Sequence, residues 1–239
     1  MAVPRKKIEG NLTRIREQIS AACARSGRSE EVVSIVAVTK SVDVDTIRTL
    51  VETGLVDMGE SLVNQLIARA GQLDDHYQRR GGTCPIRWHM VGHLQRNKVK
   101  SVLPVAAVIH SVDSLRLAEE ISVRAEQAGR VVDVMIQVNC SEEPQKSGVA
   151  VGAANHLVEL ISTLRNVRVI GLMTMAARVR TPEDARPVFV RLREIFEELR
   201  FEKIGGGNFR HLSMGMSQDY AVAVEEGATM LRIGTALFE

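Results

Sequence analysis

Lys40 closes an apolar run, Ser34-Ile-Val-Ala-Val-Thr-Lys40. The run is continuous in Ile and Val rather than alternating, which reads as a parallel strand buried on both faces. Side chains alternate along a strand, so Val36, Val38 and Lys40 share one face. If that face looks into a barrel, the amine stands at the mouth, where such folds keep their chemistry. A desolvated lysine there loses its proton and attacks an aldehyde as a neutral amine. A solvated gatekeeper is the plainer reading of one strand-end lysine, so the other motifs must decide.

Four further clusters fall where apolar runs give way to polar ones. Asp57-Met-Gly-Glu-Ser61 closes a second strand, and Ser61 reads either as an N-cap or as a polar group at the mouth. Trp88-His-Met-Val-Gly-His-Leu-Gln-Arg-Asn-Lys98 places His89 and His93 four apart, without a third metal ligand nearby. A ligand-lining His89, with Gly92 in a tight turn, suits that segment better than zinc. Gln137-Val-Asn-Cys-Ser-Glu-Glu-Pro-Gln-Lys-Ser-Gly148 is a long polar loop after a strand, which favours a functional role. The strongest is Leu212-Ser-Met-Gly-Met-Ser217, followed by Thr229-Met-Leu-Arg-Ile-Gly-Thr235. In barrels the loops after strands seven and eight commonly hold phosphate through backbone N–H groups and a helix start. Ser217 sits at such a start, and Gly234 allows close backbone approach. Arg232, within a core strand, calls for a ring nitrogen, carboxylate or phosphate opposite it. A lysine on strand one across from a phosphate loop suits a phosphorylated aldehyde.

The elements that must position these groups alternate along the chain. An opening helix over 5–26 carries Ile8, Leu12, Ile15, Ile19 and Ala22 at helical spacing and ends near Gly27. Strands are predicted around 33–39, 55–59, 86–91, 106–110, 131–138, 167–172, 210–213 and 229–233. Helices are predicted near 43–53, 61–78, 95–102, 113–128, 150–164, 183–200 and 218–226. Eight strands and seven intervening helices fit an α/β chain of the (β/α)8 TIM-type barrel class, with an extra N-terminal helix. No linker breaks the alternation, and Gly205–Gly207 reads as a turn between helix and strand, so residues 1–239 are expected to form a single domain.

Composition narrows the partners. The 239 residues, 45 % hydrophobic, suffice for a full core, and a net charge of +2 gives no strong field for nucleic acid or anionic membrane. Three scattered cysteines, without a CxxC, fit a reducing cytosol rather than a disulfide or zinc framework. No signal core or membrane-length apolar run is present, so a soluble, cytoplasmic protein is expected.

Taken in order, the motifs resemble the pyridoxal phosphate homeostasis proteins, single-domain relatives of the alanine racemase N-terminal barrel. Ala37-Val-Thr-Lys40 looks like their lysine motif, and His89 to Lys98 is similar to their HxIGxLQxNK. Val138-Asn139 through Glu142, Lys146 and Gly148 resembles VNxxxExxKxG, and Gly171-Leu-Met-Thr-Met175 follows their GLM motif. Leu212 to Asp219 and Arg232-Ile-Gly-Thr235 complete the set. The resemblance implies a barrel that holds pyridoxal 5′-phosphate as an internal aldimine on Lys40. It places the phosphate at Ser217, Gly234 and Thr235, and Arg232 toward the pyridine nitrogen. The same resemblance makes Ser61, His89 and Met214 the other expected cofactor-binding positions, beside Arg232. An arginine there keeps the nitrogen unprotonated, so the ring is a poor electron sink and carbanion chemistry is disfavoured. The implied role is a cofactor carrier and regulator of vitamin B6, with no catalytic residue, no metal and no established turnover. Its expected partners are the cofactor and, as recipients, apo-enzymes that depend on it; a monomer is expected because the second racemase domain has no counterpart. The chain departs from the family at Ser61, where GEN is usual, and at Asn64, where glutamine is expected and Gln65 follows.

The main alternative is an amino-acid racemase, which needs a second acid/base group on the face opposite the lysine. The chain's two tyrosines, Tyr77 and Tyr220, both fall in helical stretches. A cofactor-free Schiff-base aldolase leaves Arg232 without a ring nitrogen. An RNA-binding role through Arg87, Arg96, Lys98 and Lys100 lacks stacking platforms, since aromatics make up 3 % of the chain.

Overall fold

The computed structural model describes residues 3–143, 145–177 and 180–239. Pro144 of the long polar loop, Met1, Ala2, Arg178 and Val179 lie outside the described residues.

Among the described residues there are nine parallel strands: β1 (Ser34–Val38), β2 (Asp57–Glu60), β3 (Arg87–Met90), β4 (Ala106–Val112), β5 (Val132–Asn139), β6 (Val149–Ala150), β7 (Val167–Met173), β8 (His211–Ser213) and β9 (Met230–Ile233). Eight of them run in the order β4-β3-β2-β1-β9-β8-β7-β5, and a β4–β5 pairing closes the ring. The ninth, β6, is a two-residue strand paired only to the end of β5, through Val138↔Val149 and Asn139↔Ala150. The fold is a (β/α)8 TIM-type barrel. Its outer ring comprises α2 (Val44–Glu52), α3 (Val63–Gln78), α4 (Val99–Val102), α5 (Leu115–Gln127), α6 (Ala154–Ser162), α7 (Arg186–Phe201) and α8 (Tyr220–Glu225). Helix α1 (Arg5–Ser26) precedes the barrel, and a one-turn α9 (Thr235–Phe238) follows it.

The outward faces of the strands and the inward faces of the helices form one apolar core that runs from Ile8 to Phe238. Each fully buried Ile, Leu or Phe there contributes about 1.5–3 kcal/mol over its exposed state. On α1 the spaced apolar positions Ile8, Leu12, Ile15, Ile19 and Ala22 are all buried, and the helix stops at Gly27 in the left-handed conformation (φ 66°). Helix α1 packs on α8 and α9. Asn11 Nδ2 donates to Leu237 O at 3.0 Å, and Tyr220 OH donates to Gln18 Oε1 at 2.5 Å. Arg28 donates to Val224 O and, at 3.0 Å, to Ala228 O. The extra helix thus braces the two helices that follow β8 and β9.

Inside the barrel a small apolar cluster of Val108, Met135, Ile170 and Met173 shares the space with buried polar side chains. Gly171 is level with His211 on β8, and a Cβ there would lie 1.8 Å from the His211 carbonyl oxygen. Only a residue without a side chain lets these strands pair, which accounts for the glycine of Gly171-Leu-Met. Among the described residues, no helix is long and apolar enough to cross a membrane.

Candidate functional site

Val38 faces inward at the end of β1, and two residues on, Lys40 reaches the wall of a cavity of about 350 Å³ at the mouth. Lys40 is exposed rather than desolvated, because it lies in the turn beyond the strand. That turn is held from beneath. Thr39 N donates to Gly59 O at 3.1 Å and Thr39 Oγ1 to Glu60 Oε1 at 2.5 Å. From α3, Arg69 donates to Thr39 O at 2.7 Å and Val42 O at 2.6 Å, and pairs with the fully buried Glu60. Asp43 then caps α2 through Thr46 N at 2.9 Å.

Register places the cation opposite. Arg232 on β9 pairs with Val36 on β1, so its guanidinium lies deeper than Lys40 on the same inward surface. It is 4 % exposed and lines the cavity floor. Arg232 donates to Ser213 Oγ at 2.6 Å and to Thr174 O at 2.8 Å, both neutral acceptors. Burial brings its pKa down to about 10, partly offset by Asp219, so it stays a cation at neutral pH. Burial pushes the Asp219 carboxyl up from its ordinary value, against the Met216 N–H that donates to it at 2.6 Å.

The third side of the cavity is backbone. Ser217 Oγ accepts from Gly234 N at 3.2 Å and Ala236 N at 3.1 Å, at the first turn of α9. Ser217, Gly234 and Thr235 all line the wall. These N–H groups close on Ser217 itself, so the wall presents that hydroxyl beside the start of the one-turn α9. The cavity thus brings together an exposed amine, a buried guanidinium and a strand exit closed by a serine hydroxyl.

Of the positions singled out from sequence, Lys40, Ser61, Ser217, Arg232, Gly234 and Thr235 share this wall. His89 and Met214 do not. Met214 is fully buried in the outer core, because it falls on the face of the β8 exit that looks toward the helices. His89 points into the barrel beneath the cavity and commits both ring nitrogens there, to Asp57 Oδ1 at 2.9 Å and His110 Nε2 at 2.9 Å. His93 is exposed, 3.8 Å from Asp113, so the two histidines diverge.

Asp57 opens β2 rather than closing it, and so lies at the foot of the barrel, paired with Arg87 at 2.7 Å. Burial opposes its ionised form, but hydrogen bonds from His89 and Arg87 prevail and hold its pKa below the ordinary value. Ser61 is not the cap of α3; that position is Leu62, and no side chain caps it. In the long polar loop, Asn139 Nδ2 donates to Glu143 O at 2.9 Å, and Lys146 pairs with Glu143 at 2.7 Å. Those motif residues knit the loop to itself, away from the cavity wall. The basic set divides, with Arg87 at the foot and Arg96, Lys98 and Lys100 exposed beyond β3.

Sequence reading placed Val38 on the face of Lys40 but did not single out Val91, Met175, Met216 and Asp219 as wall residues. Their place at or just after strand ends is the signal that finds them. It also missed the Glu60–Arg69 clamp, which no local pattern announces. Gly92 brings the β2 and β3 exits together, since a Cβ there would lie 2.1 Å from Ser61 O. The cysteines Cys23, Cys84 and Cys140 are free, and among the described residues no three His, Cys, Asp or Glu side chains converge as a metal site.

Fold and cavity together define a single-chain α/β barrel with a lysine at its mouth and a buried arginine on the wall of the same cavity. Residues 10–239 match the alanine racemase N-terminal domain, and the chain belongs to that family, together with its full-length relatives named pyridoxal phosphate homeostasis protein. One of these, from Aquifex aeolicus, is 41 % identical over 95 % of this chain and 95 % of its own length. A crystal structure from Bifidobacterium adolescentis superposes with a TM-score of 0.90 at 35 % identity, covering 100 % of this chain and 98 % of the other. PipY of Synechococcus elongatus, solved with PLP (pyridoxal phosphate) bound, gives a TM-score of 0.78 at 31 % identity over 94 % of this chain and 100 % of its own.

Proposed function

We propose that this chain binds pyridoxal 5′-phosphate through Lys40 and serves intracellular vitamin B6 homeostasis as a non-catalytic carrier. Arg232 carries this reading: a buried guanidinium on the cavity wall, hydrogen-bonded to two neutral oxygens. Such a group suits an acceptor that need not be charged, and a pyridine nitrogen is one. The remaining residues fit the same group. Lys40 would supply the amine, Ser217 with the N–H groups of Gly234 and Thr235 would hold the phosphate, and Ser61 lines the near side. The cofactor supplies an aldehyde that an amine captures and a ring that withdraws electrons. Arg232 keeps that withdrawal weak, because two positive groups in contact repel.

A racemase needs a second acid or base across from the lysine. Tyr220 is spent on Gln18 of α1, Tyr77 lies on α3 off the wall, and Asp219 accepts the Met216 N–H. The reading extends to one domain over 1–239, a cytoplasmic monomer, and cofactor-dependent apo-enzymes as recipients. Visible absorbance with added cofactor, then borohydride reduction and peptide mapping, tests the central part. A yellow band and a reduced adduct on Lys40, both absent in Lys40→Ala, are expected; no adduct at excess cofactor overturns the reading. Lys40-dependent exchange of the alanine Cα proton would instead favour the racemase.

A further inference from the structure

We infer that Asp57, His89, His110 and Ser213 form a hydrogen-bonded relay through the barrel interior that positions Arg232, with Asp57 at the foot setting the direction of its hydrogen bonds. What Arg232 faces rests on the proposed function; the relay itself does not.

The chain of contacts is continuous. Arg87 donates to Asp57 Oδ2 at 2.7 Å, and His89 Nε2 meets Asp57 Oδ1 at 2.9 Å. His89 Nδ1 meets His110 Nε2 at 2.9 Å, His110 Nδ1 meets Ser213 Oγ at 2.8 Å, and Arg232 donates to Ser213 Oγ at 2.6 Å. His89, His110, Ser213 and Arg232 are each at most 4 % exposed. The four links cross β2, β3, β4, β8 and β9, and so join the foot of the barrel to the cavity floor.

Chemistry sets the direction of every bond when both rings are neutral. The Asp57 carboxylate accepts, so His89 Nε2 carries a proton and its Nδ1 accepts. His110 must then donate from Nε2 and accept at Nδ1, and Ser213 must donate its hydroxyl proton there. Ser213 Oγ is left with its lone pairs toward Arg232, which can only donate. Burial above all, and the nearby Arg232 cation, hold His110 neutral. Each donor therefore points away from the cavity and toward Asp57. A barrel interior is ordinarily filled with branched apolar side chains. Four polar groups in their place cost stability unless every bond is made, and among the described residues no relay atom lacks a partner. Asp219 is the carboxylate whose charge acts on Arg232 directly, and it accepts the Met216 N–H at 2.6 Å.

The test uses the full chain at about pH 8, above the ordinary imidazole range. Long-range 1H–15N spectra of the cofactor-free protein should show His89 and His110 neutral and protonated at Nε2. A proton on Nδ1 of either ring overturns the relay. Asp57→Asn and Ser213→Ala should each shift the Arg232 guanidinium resonances and weaken pyridoxal phosphate binding about two- to tenfold, the range of one hydrogen bond. Unchanged Arg232 resonances in Asp57→Asn overturn the relay, even if Ser213→Ala, which removes a direct partner, shifts them. If the unaltered protein forms no adduct with pyridoxal phosphate, the proposed function fails, and the tautomers and Arg232 shifts alone decide the relay.

Discussion

Arg69 reaches from α3 to three oxygens around the Lys40 turn: Thr39 O, Val42 O and Glu60 Oε1. Removing one partner of a buried ion pair strands the other charge, at about 3–5 kcal/mol. Arg69→Ala should therefore lower the urea-unfolding free energy by that amount and slow adduct formation at Lys40. A loss below ~1 kcal/mol would show that the clamp contributes little. The interior imidazoles make a second prediction. His110 and His211 have pKa values lowered from 6.5, in each case chiefly by burial. The unfolded chain binds protons there more readily than the folded one, so their contribution is fully present above 6.5 and is lost as pH falls below it. Thermal unfolding should show stability that rises between about pH 5 and 7, with a shallower slope in His110→Gln. An unaltered slope in that variant would show that His110 takes up protons equally in the folded and unfolded chain.

At the scale of elements, the exits of β2 and β3 meet where Gly92 passes the Ser61 carbonyl. Gly92→Ala must push two backbones apart, and a loss of about 2–4 kcal/mol is expected from a denaturation curve, together with weaker cofactor binding. Near-native stability would mean that the loops yield freely. The same elements show what sequence could and could not convey. Apolar runs locate β1, β4, β5 and β7 well, because a buried parallel strand rich in Val and Ile stands out, whereas β2, β3 and β8 contain neither residue and follow from the alternation with helices. Helical spacing likewise finds α1 and its Gly27 stop. A two-residue strand such as β6 and a one-turn helix such as α9 are too short to leave a period. Alternation, moreover, reveals the face on which a residue lies but not its height along the barrel axis. Lys40 and Arg232 were legible because a long cation beside a core strand stands out. Asp57 and His89 share the inward face with the mouth residues, yet register sets them at the foot and the middle. Met214 was misplaced by one position of alternation at a strand exit.

For the whole molecule, the cavity wall draws on the first and last barrel strands together, so a ligand there ties the ring shut. At a free concentration of 100 times its dissociation constant a ligand adds about 2.7 kcal/mol to stability. For a chain of this length that corresponds to a rise of roughly 5–10 °C in melting temperature on saturation with pyridoxal phosphate. No shift, or an equal shift in Lys40→Ala, would argue against binding at this cavity. The brace formed by α1 has an outcome in time rather than in energy. Arg28, at the end of that helix, meets Val224 across 196 positions of sequence. At ribosomal speeds of about 5–20 residues per second, roughly 10–40 s separate their synthesis. Through that interval the apolar stripe of α1 has no berth, and the cavity wall at Ser217 and Gly234 does not yet exist. A nascent chain therefore exposes a greasy helix first and acquires its binding cavity last, so it should lean on a chaperone early and be unable to capture cofactor until its final helix has emerged.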